Sequence, residues 1–232
     1  MRARLIRTTA LTLWSILLSW TPVAFAQPEA YGLPARLTSL TDLGPVLHRA
    51  DLTAAQRTDV LVSWLTRERE HPSETVRGLG GGDIDSGYLQ AQLIKALAEA
   101  GDARAVAAVA SSTSLADEGL RAAARVVLGM MGDRQQVSRL LVVLATHKEA
   151  DFRALAAVAL GRVGAVEAIP ALEAALEDGA TRRASNCTRG PHTSYPVRDA
   201  ATSALRVLRS PDALARAKLR TDQFASRQTS QP

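Results

Sequence analysis

Residues 120–133 read LRAAARVVLGMMGD, and residues 152–165 read FRALAAVALGRVGA. An arginine in second place, alanines at matching positions, a Leu-Gly pair and a later glycine recur at a spacing of 32 residues. Upstream, Leu89, Leu97 and Gly101 precede Leu120, Leu128 and Gly132 by 31 residues each. Downstream, VRDAATSALRVL sets Val197, Arg198, Ala201 and Leu205 at 45 residues beyond Phe152, Arg153, Ala156 and Leu160, which is one period plus an insert of 13. One helix is written four times.

The spacing within each copy is helical. Phe152, Ala156, Ala159, Leu160 and Val163 form one continuous apolar stripe on a 3.6-residue period. A second helix follows each of the first three copies, as ARAVAAVA, QQVSRLLVVL and VEAIPALEAAL. Its columns align as Val106, Val137 and Ile169, then Val109, Leu140 and Leu172. Gly101, Gly132 and Gly164 stand where a left-handed residue ends one helix and lets the chain reverse. A helical hairpin of this kind cannot bury both faces alone, whereas stacked hairpins share a continuous core. The expected fold is all-α: an α-α solenoid, or superhelix, of about four helical hairpins.

Composition agrees. Hydrophobic residues make up 47% of the chain but aromatics only 4%, so Ala and Leu carry the excess. That favours helices packed through small side chains over a sheet rich in β-branched and aromatic residues. The single Cys187 cannot form an intramolecular disulfide, which leaves packing to hold the fold.

LRAAARVVLGMMGD, FRALAAVALGRVGAVEAIPALEAALEDG and VRDAATSALRVL together resemble the HEAT repeats, in their short, alanine-rich bacterial form. The resemblance spans about residues 84–210, with Gln90 standing where later copies have arginine. It implies a scaffold that binds another protein and is not an enzyme. It also implies that the helices carrying Arg121, Arg153 and Arg198 line the concave face.

The chain divides accordingly. Residues 1–26 read as a signal peptide: Arg2, Arg4 and Arg7, then an apolar core, then Ala24-Phe25-Ala26 with cleavage expected after Ala26. The expected location is therefore periplasmic or secreted, with no stable membrane span after cleavage. The formal charge of +5 includes those three arginines, so the mature chain carries +2 and offers little attraction to nucleic acid. Residues 27–83 read as an N-terminal helical cap and Gly-rich linker. In the cap, RLTSLTDLGPVLHRA forms one helix and a second is opened by Asp51 as N-cap, with Leu61, Trp64 and Leu65 on its apolar face. The linker RGLGGGDIDSG lacks the Lys-Ser/Thr of a nucleotide loop and the ligand spacing of a calcium loop. Residues 84–210 hold the repeats, with an insert at 181–196. Residues 211–232 form a C-terminal helix that frays into a disordered tail.

Polar candidates are few. Arg121, Arg153 and Arg198 repeat at one position per unit and suit acidic groups on a partner, since guanidinium forks match carboxylates. Asp117 and Asp151, just ahead of two of them, offer internal partners instead, which would make the column structural. Arg125, Arg162 and Arg206 lie along the same helices and extend a basic strip. The insert gathers Arg182, Arg183, Cys187, Arg189, His192 and Tyr195, a partner-contact loop by preference and an inert insertion otherwise. Thiol or small-ligand chemistry there is the alternative, as is a membrane-tethered structural subunit if the signal stays uncleaved. Two ligands are too few for a metal site, so no metal and no cofactor are expected. His147 reads as a helix-end residue, and Met130 and Met131 as core.

Overall fold

The computed structural model describes residues 26–79, 81–100, 102–186 and 190–229. The expected signal segment, Ala26 apart, lies outside them, as does Gly101.

Four helical hairpins follow one another. They are α3 (Ser86–Ala100) with α4 (Ala103–Ser111), α5 (Glu118–Met131) with α6 (Val137–Thr146), α7 (Ala150–Val163) with α8 (Ile169–Ala174), and α9 (Pro196–Leu208) with α10 (Pro211–Thr229). Gly132 and Gly164 close α5 and α7 in the left-handed region, at φ 111° and 72°. The repeated columns are the core. Leu97, Leu128, Leu160 and Leu205 are at most 4% exposed, and Val109, Leu140 and Leu172 are fully buried.

Ahead of the repeats, α1 (Leu43–His48) and α2 (Ala54–Glu70) form the cap, and α2 packs on α3. The helices α2, α3, α5, α7 and α9 thus stack in chain order as one layer. The cap departs from expectation in two places. The first helix is shortened to α1 behind a 3-10 turn at Leu40–Asp42. Pro45, which lacks the N–H an interior turn needs, is accommodated in the first turn of α1. The second helix is opened by Thr53, not Asp51. Thr53 and Gln56 close a reciprocal capping box that satisfies two free N–H groups, while Asp51 pairs with Arg49. Leu61, Trp64 and Leu65 are buried as expected, and the Trp64 indole N–H donates to the Pro34 carbonyl at 2.9 Å.

Both connections expected as loops pair as short antiparallel ribbons. β1 (Val76–Arg77) meets β2 (Asp83–Ile84) within the Gly-rich linker. β3 (Arg182–Asn186) pairs with β4 (Gly190–Ser194), setting Arg182 opposite Ser194 and Ala184 opposite His192. Each ribbon bonds chiefly to itself, which satisfies the backbone of an excursion that has no helical periodicity to follow.

The last helix also differs. α10 does not fray at the FASRQTSQP tail but continues to Thr229. It runs back across the hairpin turns, against α9, α7, α5 and α4. A Cβ on Gly164 would lie 3.0 Å from the Ala217 Cβ, and one on Gly132 would lie 2.9 Å from the Arg220 carbonyl oxygen. Phe224, 3% exposed, joins the N-terminal core. Helix α5 divides that core from the second one. Its Ala124 and Leu128 face the first, and its Ala122 and Val126 face the other.

Candidate functional site

The arginine column is held inside the chain. Arg121 donates through Nη1 to the Leu115 carbonyl at 2.7 Å and to the Ala116 carbonyl. Arg153 makes the same bonds one unit on, to the carbonyls of His147 at 2.7 Å and Lys148 at 3.1 Å. Its remaining nitrogens form a bidentate pair with Asp178, at 2.8 and 3.1 Å. Arg198 donates to the Asp178 carbonyl at 2.6 Å and lies over the Tyr195 ring, 4.5 Å from its centroid. These side chains fasten each arginine helix to its neighbouring loops. The Arg153 guanidinium, with a further contribution from Arg198, holds the Asp178 carboxyl below its ordinary range, more than offsetting the opposing effect of burial.

The acids expected to serve this column are used elsewhere. Asp117 caps α5 by accepting the Leu120 N–H at 2.7 Å, and Asp151 pairs with Arg182 of β3. The other arginines fall into two groups. Arg125 is close to Arg121 and to Arg139 of α6, whereas Arg162 is close to Arg220 of α10, which also has Arg216 nearby. Arg206 is exposed on α9. In the insert, Arg182 and Tyr195 are placed as above. Cys187 and Arg189 lie outside the described residues, and the side chains of Arg183 and His192 are likewise not described.

His147 is 6% exposed and packs against the Phe152 ring, with centroids 4.6 Å apart. Its Nδ1 accepts the Glu149 N–H at 3.2 Å, which ties it to the entry of α7.

A groove that the arginines do not line crosses the exposed side of α3, α5 and α7. Ala123, Val126 and Met130 of α5 lie between the walls, Tyr88 and Ala91 of α3 form one side, and Phe152 and Leu155 of α7 the other; they enclose about 250 Å³. Ala123 on α5 leaves room between the larger Tyr88 of α3 and Phe152 and Leu155 of α7. Tyr88 is 51% exposed and Leu155 39%. A second depression of about 340 Å³ shares Tyr88, Ala91, Glu149 and Phe152 and continues to the N-terminal ends of the three helices. Of its four carboxylates, Asp85 and Asp117 are occupied in capping, Asp85 accepting the Tyr88 N–H at 2.7 Å, and Glu118 and Glu149 line it as well. The result is an apolar trough with a polar end. Sequence periodicity placed these residues on the helices but could not tell which face stays open.

Among the described residues no set of three or more His, Cys, Asp or Glu side chains is arranged to hold a metal ion, and no helix is long and apolar enough to cross a membrane. Residues 113–187, which run from the end of the first hairpin through the third and into the insert, match the family model for HEAT repeats. No curated protein matches the chain.

Proposed function

Because this chain belongs to the HEAT-repeat family, we propose that it is an exported scaffold that holds a protein partner on the open face of α3, α5 and α7. The groove carries this reading. Exposed Tyr88 and Leu155 project beside a floor of Ala123, Val126 and Met130, an arrangement that places apolar surface in reach of a partner. Repeat arrays bind through summed contacts over several units, and HEAT repeats generally mediate protein–protein interaction. Export rests on the N-terminal sequence; a mature chain beginning at Gln27 is its signature.

The test is site-specific photo-crosslinking in the native compartment. A photoreactive residue replaces Leu155 on the groove or, as the control, Val142, which is 60% exposed on the second helix of its hairpin. Adducts of one discrete mass at position 155 and none at 142 support the reading. Adducts at 142 alone assign the partner to the opposite layer. The absence of adducts at both positions refutes it.

A further inference from the structure

Several arginines in this fold have a carboxylate. Arg49 pairs with Asp51, Arg67 with Glu29, Arg104 with Asp59 and Asp102, Arg134 with Glu167, Arg153 with Asp178, and Arg209 with Glu173. On α5 and α6 three arginines lack one among the described residues. Arg121 and Arg125 stand one turn apart on α5, and Arg139 of α6 is close to Arg125. Arg121 spends donors on two backbone carbonyls, but none of the three has an acidic partner among the described residues. The Arg125 Nε is shielded from solvent and has no acceptor. Leaving a buried donor unpaired forfeits its hydration with nothing in return, and the loss is larger for a charged group.

We propose that Arg121, Arg125 and Arg139 form an oxyanion site on the α5–α6 hairpin, and that its ligand is the carboxylate of an acidic segment on a protein partner. It extends the scaffold reading to a second surface, distinct from the apolar groove. Guanidinium groups suit this role because they are always charged and present donors in a planar fork that matches two carboxylate oxygens. Burial, then Arg139, then Arg121, all weaken the hold of Arg125 on its proton. An anion among the three reverses both Coulombic contributions. Arg121 is fixed by its carbonyl bonds, which leaves Arg125 and Arg139 as the side chains free to close on the ligand.

The experiment uses a fluorescein-labelled hexaglutamate peptide, read by anisotropy with the mature chain. The variants are Arg125→Gln with Arg139→Gln, and the charge-matched control Arg227→Gln with Arg36→Gln. Arg121 is left intact because its carbonyl bonds hold the α4–α5 connection. Circular dichroism and melting temperature establish that each variant is folded. Wild type and control are expected to bind saturably with the same Kd, the Arg125/Arg139 variant at least about tenfold more weakly, and inorganic phosphate to displace the peptide. Equal binding by the Arg125/Arg139 variant, no saturable binding by wild type, or a peptide that phosphate cannot displace overturns the proposal. Since this readout does not involve the groove, its failure leaves the crosslinking result at position 155 standing, and the converse also holds.

Discussion

Gly161→Ala sets two physical effects of known sign against each other. Gly161 lies inside α7, where alanine is better than glycine by about 1 kcal/mol of helix propensity. Its backbone is helical, so no left-handed strain enters. The new Cβ, however, would lie 2.8 Å from the Ala204 Cα and 2.9 Å from the Ala204 Cβ on α9. Ordinary contacts begin at 3.4 Å, so α7 and α9 must part by at least 0.6 Å. The obstacle is backbone and cannot rotate away. Overpacking of this kind costs about 1–3 kcal/mol, and a rigid neighbour places it at the upper end. The net expectation is a loss of about 1–2 kcal/mol. With a urea m-value of about 2 kcal/mol/M, the unfolding midpoint falls by about 0.5–1 M. Gly129→Ala is the internal control. Its Cβ would meet the Leu140 Cδ1 at 2.7 Å, the far end of a side chain that can swing, and the Ala159 Cβ at 3.3 Å. Propensity and packing then nearly cancel, to within about 1 kcal/mol. A Gly161→Ala protein as stable as wild type, or equal shifts for the two variants, would show that α7 and α9 are not held at the separation argued above.

Asp178→Asn removes the charge that Arg153 grips, in a pair whose side chains are 16% and 15% exposed, and costs about 1–3 kcal/mol by chemical denaturation at pH 7. Because the folded carboxyl is held below its unfolded value of about 3.9, this contribution is present above that pH and fades below it; urea melts at pH 7 and pH 3 should show the gap between wild type and variant closing. Phe224→Ala empties the anchor by which α10 reaches the N-terminal core and costs about 3 kcal/mol, with amide exchange accelerating most along α10. Thr53→Ala removes the capping box of α2 and lowers stability by about 1 kcal/mol, whereas Asp51→Ala stays within about 0.5 kcal/mol of wild type.

The hairpins were legible in the sequence because burial and periodicity are the same fact seen twice. Leu97, Leu128, Leu160 and Leu205 recur since each fills the same place in its unit. Features set by contact between distant segments were not. Ala217 and Phe224 are sparse apolar residues on a polar helix, and only the facing turns at Gly164 and Gly132 explain why they are buried. The groove was hidden for a related reason. Its floor residues Ala123 and Val126 are 8% and 2% exposed and belong to the same apolar pattern as the core, so no alternation marks them as the base of an open face. The two ribbons have no apolar period at all.

The arginine column shows why nearness along the chain misleads about ion pairs. Asp117 and Asp151 stand within four residues of Arg121 and Arg153, yet a carboxylate at the start of a helix has its own free N–H groups to satisfy, as Asp117 does at Leu120. The arginines turn instead to the carbonyls five and six residues behind them, which is the bond Arg121 and Arg153 share. What varies between units is the next partner. Asp178 supplies a carboxylate to Arg153 and a carbonyl to Arg198. One period earlier the place of Asp178 falls to Thr146, which has no charge to offer Arg121. The column arginine is closed by a carboxylate at Arg153 and open at Arg121, where Arg125 and Arg139 deepen the surplus. If that surplus were incidental, restoring the missing acid would be a simple gain. Thr146→Asp is then the decisive substitution: it should raise stability by pairing with Arg121 and, by neutralising the cluster, weaken hexaglutamate binding in the same protein. A variant that gains stability with undiminished peptide binding would separate the two roles and place the anion elsewhere.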